Sequence, residues 1–212
     1  MGLSERKERE KQARKESIFE AARRVFQEKG YQLTSMSKIA EEAELSKATI
    51  YLYFKNKDDL FLSMTTEPLK KLKKEFEKIA KTDKSPEEKI FMLSRAFVKH
   101  WEKNRVDYQL GDTFITTYNR QSETNRSLFN KINEPLEEIL NIGIRILKDG
   151  IKTGSFKNEI DPEKVMLIGW RAFVGLLQIV NFVDISKKEG AFTNEILDLA
   201  IMIIFDGIKK RA

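Results

Sequence analysis

The sequence predicts an all-α protein, with a three-helix N-terminal segment containing a helix-turn-helix corner and a larger helical domain after it. Three observations carry this prediction. Apolar residues recur with a period near 3.6 along the 212 residues, whereas strict alternation never persists. Helix starters and stoppers punctuate those runs at Gly30, Ser35, Ser46, Pro86, Gly154 and Asp161. Two very short periodic runs also lie side by side, separated by only Ala43-Glu44-Leu45, the length of a helix-turn-helix corner.

The first helix is expected over about 5–29, with Ile18, Ala21, Ala22, Val25 and Phe26 on its apolar face. Gly30 follows, where a left-handed C-terminal cap is wanted. Ahead of Ser17 the helix, or an arm, is almost wholly charged, with Arg6, Lys7, Arg9, Lys11, Arg14 and Lys15 alternating with glutamates. Ser35 suits the N-cap of a helix over 36–42, which leaves Ile39, Ala40 and Ala43 apolar. Ser46 suits the N-cap of a third helix over 47–53, which turns Ile50 and Phe54 inward.

A fourth helix, about 57–80, carries Leu60, Met64, Leu72, Phe76 and Ile79 on one face and Lys70, Lys71, Lys73 and Lys74 on the other. Pro68 inside it removes a backbone hydrogen bond and crowds the preceding turn, so a kink or break is expected there. The expected division is residues 1–57 as the helix-turn-helix domain and 58–212 as the helical domain, with the fourth helix connecting them.

Further helices are expected at about 86–104, 106–120, 124–152, 162–184 and 193–210. Pro86 and Pro162 open two of them, and Gly154 and Asp161 supply caps. The last two are apolar over a wide arc, including Val165, Leu167, Ile168, Leu176, Leu177, Leu199, Ile203 and Ile204. A helix apolar over so wide an arc buries two sides. One side serves the domain core. The other points to a homodimer built from four helices, or else to a deeply central helix pair in a monomer.

Composition removes several classes of function. With 41% hydrophobic and 34% charged residues, the chain can bury a core beneath a heavily charged surface. No N-terminal segment reads as a secretory signal. The most apolar stretch, 165–183, is interrupted by Arg171, Gln178 and Asn181, short of the ~20 apolar residues of a membrane span. The chain is therefore expected in the cytoplasm, with no membrane partner. There is no cysteine, His100 is the single histidine, and no glycine-rich phosphate loop or EF-hand spacing occurs. No enzyme chemistry, metal or cofactor is expected, although carboxylate-only magnesium or calcium sites stay open. Of the net charge of +6, most lies in residues 1–85, with 20 Lys/Arg against 15 Asp/Glu. That excess fits either a solvated surface or a face turned toward a polyanion.

The run Gly30-Tyr31-Gln32-Leu33-Thr34-Ser35-Met36-Ser37-Lys38-Ile39-Ala40-Glu41-Glu42-Ala43, continued by Ser46-Lys47-Ala48-Thr49-Ile50-Tyr51-Leu52-Tyr53-Phe54-Lys55-Asn56-Lys57, resembles the TetR family of transcriptional regulators. The resemblance covers about residues 13–62 and extends downstream only as a layout of helices. Glu44 stands where the family usually has a turn glycine, and a non-glycine residue in a left-handed corner costs about 1 kcal/mol. Ala48 takes a place often held by glycine or proline and is small enough to lie against DNA.

The resemblance implies that Ser46, Lys47, Ala48, Thr49, Tyr51 and Tyr53 present a groove-reading edge, with Lys57 pinning the phosphate backbone. Ser35, with Thr34 beside it, would cap the second helix while reaching phosphate. For each residue a structural role is the alternative: Tyr51 packed under its helix, or Ser35 only a cap. The charged arm before Ser17 could likewise touch phosphate.

The implied function is a repressor that binds a palindromic operator in double-stranded DNA as a dimer and is released by a small-molecule effector. Its headpieces would stand about 34 Å apart. Phe97, Trp101, Tyr108, Phe114, Tyr118, Trp170 and Phe173 are candidate linings for an apolar or planar aromatic effector, or else plain core. Pro68 lies on the route from effector to headpiece, as a transmitting or a purely structural kink. The alternatives are an architectural DNA binder without effector, and a helical enzyme or lipid carrier bearing an accidental helix-turn-helix.

Overall fold

The computed structural model describes residues 2–118, 123–182 and 189–210. In chain order the described residues form α1 (Leu3–Leu33), α2 (Met36–Glu42), α3 (Lys47–Tyr51), α4 (Lys57–Ala80), α5 (Pro86–Lys103), α6 (Arg105–Tyr118), α7 (Glu123–Lys152), α8 (Pro162–Phe182) and α9 (Glu189–Ile208). The all-α expectation holds. The one β feature among the described residues is an isolated antiparallel bridge, Phe156 with Lys209. No described helix is long and apolar enough to cross a membrane.

Local chemistry sets the ends. Lys38 N donates to Ser35 Oγ (3.3 Å), and Thr49 N donates to Ser46 Oγ (3.1 Å), so both serines are N-caps. Ser85 and Glu88 form a reciprocal box at the start of α5, and Asp161 Oδ1 accepts from the amides of Glu163 and Lys164 at the start of α8. Gly30 has the expected positive φ, but its ψ is 170°, a region essentially open to glycine alone. It therefore opens the chain outward, and a further short turn carries α1 to Leu33. Pro68 does not break α4, which runs through it to Ala80.

The chain packs as two compact units. One comprises Met1–Leu69 with Asn104–Pro135, and the other Lys70–Lys103 with Leu136–Ala212. By packing, the first unit extends past the expected boundary at residue 57. Phe61 and Met64 of α4, Phe114 of α6, and Leu128 and Ile132 of α7 bury into the same core as Ile18, Phe26, Ile39, Ile50 and Phe54. A single core cannot be cut at a helix start, so the first unit takes in three downstream segments. Within it, Arg23 of α1 grips the buried Asp107 of α6 in two parallel hydrogen bonds (2.6 and 2.9 Å). Lys15 of α1 also pairs with Glu67 of α4.

In the second unit, Leu147, Phe156 and Ile208 form a buried cluster flanked by Ile90, Ile151, Val165, Met166 and Phe205. Gly150 is required there, because a Cβ would fall 2.2 Å from the Phe156 ring. α8 and α9 bury Phe173, Leu177, Leu197 and Ile201 on one side and leave Leu167, Ile168, Leu199, Met202 and Ile203 exposed on the other.

Candidate nucleic-acid interface and effector cavity

The helix-turn-helix is built from the core outward. Ile39, Ala40, Ile50 and Phe54 are buried, which fixes α2 against α3 and decides which edge of α3 meets solvent. The corner depends on Glu44, the one described non-glycine residue with positive φ (53°), at the position read from sequence as a strained turn. Ser46 Oγ, besides capping α3, lies 2.8 Å from Thr49 Oγ1. Lys47, Ala48 and Tyr51 are exposed, Thr49 is half-buried, and Ser35 and Ser46 are exposed. Around the corner, all of these but the half-buried Thr49 are thus open to solvent.

Two sequence candidates stand differently. Thr34 is only 3% exposed, and its hydroxyl donates to the Gly30 carbonyl (2.7 Å). It stabilises the turn after α1 and is almost wholly withdrawn from solvent. Tyr53 is half-buried and packs against the core, which leaves only part of it available.

Lys57 is half-buried. Its Nζ donates to the carbonyls of Tyr31 (2.7 Å) and Gln32 (3.3 Å) and lies 4.4 Å from the Tyr31 ring centroid. Burial holds its pKa below the usual lysine value, against the pull of Asp58. The Tyr31 hydroxyl donates in turn to Asp58, and burial together with that bond pushes the phenol far up. Lys57 thus ties the end of α1 to the start of α4. The charged arm of α1, residues 4–14, is exposed along its length.

The second unit contains an apolar cavity of about 70 Å³ among α4, α5, α7, α8 and α9. Of the aromatic candidates, Phe97, Trp170 and Phe173 line it, with the Phe97 and Trp170 ring centroids 4.4 Å apart. Trp101 is buried on α5 and is not a lining residue. Phe114 and Tyr108 belong to the first unit, where Phe114 packs on Tyr31 and Phe61. Neither residue lines this cavity. Burial and the Asp107 charge raise the Tyr108 phenol. The Tyr118 side chain lies outside the described residues.

Sequence reading missed Phe76, Met166 and Ile204 in the lining. Met166 reaches the cavity across the bare backbone of Gly143, where a Cβ would fall 2.4 Å from its methyl group. Such a pairing of two helices leaves no periodic trace. The only cue was a glycine, Gly143, in the interior of a long helix.

The corner, its two serine caps and its exposed edge define a helix-turn-helix DNA-binding protein whose second unit holds an apolar cavity. Comparison with known proteins makes this specific. Residues 18–64 match the model for bacterial regulatory proteins of the tetR family, and residues 66–181 match that for the C-terminal region of YsiA-like proteins. The chain is 34% identical over 186 residues to the fatty acid metabolism regulator protein of Bacillus subtilis (strain 168), covering 87% of this chain and 92% of that one.

Among solved structures it is similar to the fatty acid degradation regulator FadR from Bacillus halodurans (TM-score 0.72, 26% identity, 93% and 97% of the two chains). It is also similar to the Bacillus subtilis transcriptional regulator FadR in complex with stearoyl-CoA (TM-score 0.65, 28% identity, 87% and 96%). The chain belongs to the TetR family of DNA-binding transcriptional regulators.

Proposed function

We propose that the protein is a repressor that binds a palindromic operator as a homodimer and is released by a long-chain acyl thioester. The observation that carries the DNA half is the edge of Lys47, Ala48, Thr49 and Tyr51, kept in solvent by the burial of Ile50 and Phe54. A lysine and amides at a helix start favour phosphate, while Thr and Tyr hydroxyls suit phosphate or base edges. Ser35, Ser46, Tyr53 and Lys57 flank this edge. Lys57 acts by holding the start of α4 in place, with its remaining N–H left for a phosphate oxygen.

One headpiece contacts too few base pairs to bind tightly. The exposed apolar face of α8 and α9 supports pairing that sets two of them at the spacing of successive major grooves. The effector class rests on the apolar lining of the cavity and on two relatives, one named for fatty acid metabolism and one bound to stearoyl-CoA. It narrows the apolar or aromatic effector expected from the sequence to an acyl chain. At about 70 Å³ the cavity is about half the ~150 Å³ that admits benzene. The chain would therefore enter by displacing flexible side chains, Met166 first among them.

The test is an electrophoretic and anisotropy assay on the DNA flanking the protein's own gene. The wild type is expected to bind one palindrome, to weaken steeply with salt, and to release it on addition of stearoyl-CoA. Lys47→Ala with Tyr51→Ala is expected to abolish tight binding while helicity and mass stay unchanged. Wild-type affinity in that variant would remove α3 as the reading helix. Operator binding indifferent to every acyl thioester would favour an architectural role.

A further inference from the structure

The second unit has another concavity, larger and more polar than the apolar cavity. It is a cleft of about 280 Å³ between the end of α4, the start of α5 and the last turns of α7. Lys81, Lys89 and Arg145 stand on its walls over a floor that includes Pro86, Ile142 and Ile146. No described carboxylate lies within ion-pair distance of these three cations. Their neighbours are engaged: Lys73 with Glu138 (3.0 Å), Lys84 with Glu88 (3.1 Å) and Lys148 with Glu163 (2.7 Å). Two carboxylates share the lining. Glu77 faces Lys73 at 3.8 Å, and Asp149 is exposed on α7.

This cleft and the apolar cavity are lined by neighbouring residues of the same three helices. Phe76 lines the cavity and Glu77 the cleft on α4. The same alternation joins Ile90 to Lys89 on α5 and Leu147 to Ile146 on α7. The two adjoin along these helices, so a ligand with an apolar tail and an anionic head has a place for each end. A bare fatty acid needs one cation and would leave the cleft unused. A phosphorylated nucleotide carrier needs several cations, a flat apolar surface for its base, and an acceptor for hydroxyl or amino groups.

We propose that Lys81, Lys89 and Arg145 bind the phosphates of the carrier half of the effector, with Pro86, Ile142 and Ile146 under its base and Asp149 accepting from its hydroxyl or amino groups. The proposal rests on the acyl-thioester reading above and adds the means of telling a thioester from a free acid.

The test measures direct binding by calorimetry on the full chain with three probes: stearoyl-CoA, coenzyme A without an acyl group, and stearate. The wild type is expected to bind stearoyl-CoA more tightly than stearate, and to bind coenzyme A weakly and in a salt-sensitive way. Each charge-assisted hydrogen bond removed is expected to weaken binding about tenfold. Lys89→Gln and Arg145→Gln together should therefore cost the stearoyl-CoA affinity about a hundredfold. Stearate binding and thermal stability should not change.

Unchanged stearoyl-CoA affinity in that double variant would overturn the cleft assignment and leave the acyl-thioester reading standing. A wild type that binds none of the three probes would overturn both. Displacement of coenzyme A from the cleft by anionic vesicles or random duplex DNA, at matched charge, would make it a general polyanion surface and also end the proposal.

Discussion

Leu33 and Leu52 are 79% and 83% exposed, and both flank the helix-turn-helix corner. Leu52 sits between Tyr51 and Tyr53, at the end of the short helix proposed to read DNA. Single exposed leucines are ordinary on protein surfaces. A leucine on this edge nonetheless has an apolar partner available in the thymine methyl or the deoxyribose. Leu52→Ala is expected to weaken operator binding about tenfold, which corresponds to the loss of roughly half of a buried leucine side chain. The melting temperature should not move, because nothing in the fold rests on Leu52. Anisotropy on the operator and a thermal melt check this, and an unchanged affinity would leave Leu52 in water in the complex.

Much of the corner was legible at this scale because it is local. Ser35 and Ser46 as caps, and Ile50 and Phe54 inside, follow from preferences a few residues wide, while Glu44 at positive φ was implied by the family resemblance. The internal bonds of Thr34 and Lys57 were not legible, for the opposite reason. The turn Thr34 serves depends on the unusual ψ of Gly30, and Lys57 binds carbonyls 25 and 26 residues away.

Helix limits were also largely readable, since Pro86, Pro162, Gly154 and Asp161 act within one turn. Which helices share a core was not. The pairing of α1 with α6 rests on Arg23 and Asp107, 84 residues apart and indistinguishable in sequence from many other charged residues. Asp107 is 2% exposed. Burial raises its pKa, and the hydrogen bonds and charge of Arg23 oppose that shift. Burying the pair adds little net stability, but breaking it leaves one charge uncompensated.

Asp107→Ala is expected to destabilise the protein by about 3 kcal/mol, the low end for a broken buried pair, because Arg23 keeps Glu16 at 2.8 Å. Asp107→Leu with Arg23→Met should recover most of that loss, because neither charge then remains. Urea denaturation of the three proteins checks both outcomes, and equal destabilisation in the single and double variants would show that shape, not charge, holds α6 to α1.

Across the whole molecule, the chain passes from one unit to the other at three places: after Leu69, after Lys103 and after Pro135. Two of these lie beside prolines inside long helices, Pro68 in α4 and Pro135 in α7, where one backbone hydrogen bond is missing from each. These weakened points are where a helix bends most cheaply. Control through headpiece spacing requires two headpieces held together, so the proposed pairing through α8 and α9 is the property to test.

Ile168 and Ile203 are 63% and 64% exposed, on a face with Leu167, Leu199 and Met202. A stable pairing hides roughly 800 Å² per partner around such a centre, and a charge placed there without a partner is costly. Ile168→Glu with Ile203→Glu is therefore expected to yield a monomer by sedimentation, with unchanged helicity by circular dichroism. Its affinity for the palindrome should fall at least a hundredfold, in keeping with loss of the second, tethered half-site contact. A variant that stays dimeric would put the pairing surface elsewhere. A monomer that still bound the palindrome at wild-type affinity would mean that one headpiece suffices, and control through headpiece spacing would then be impossible.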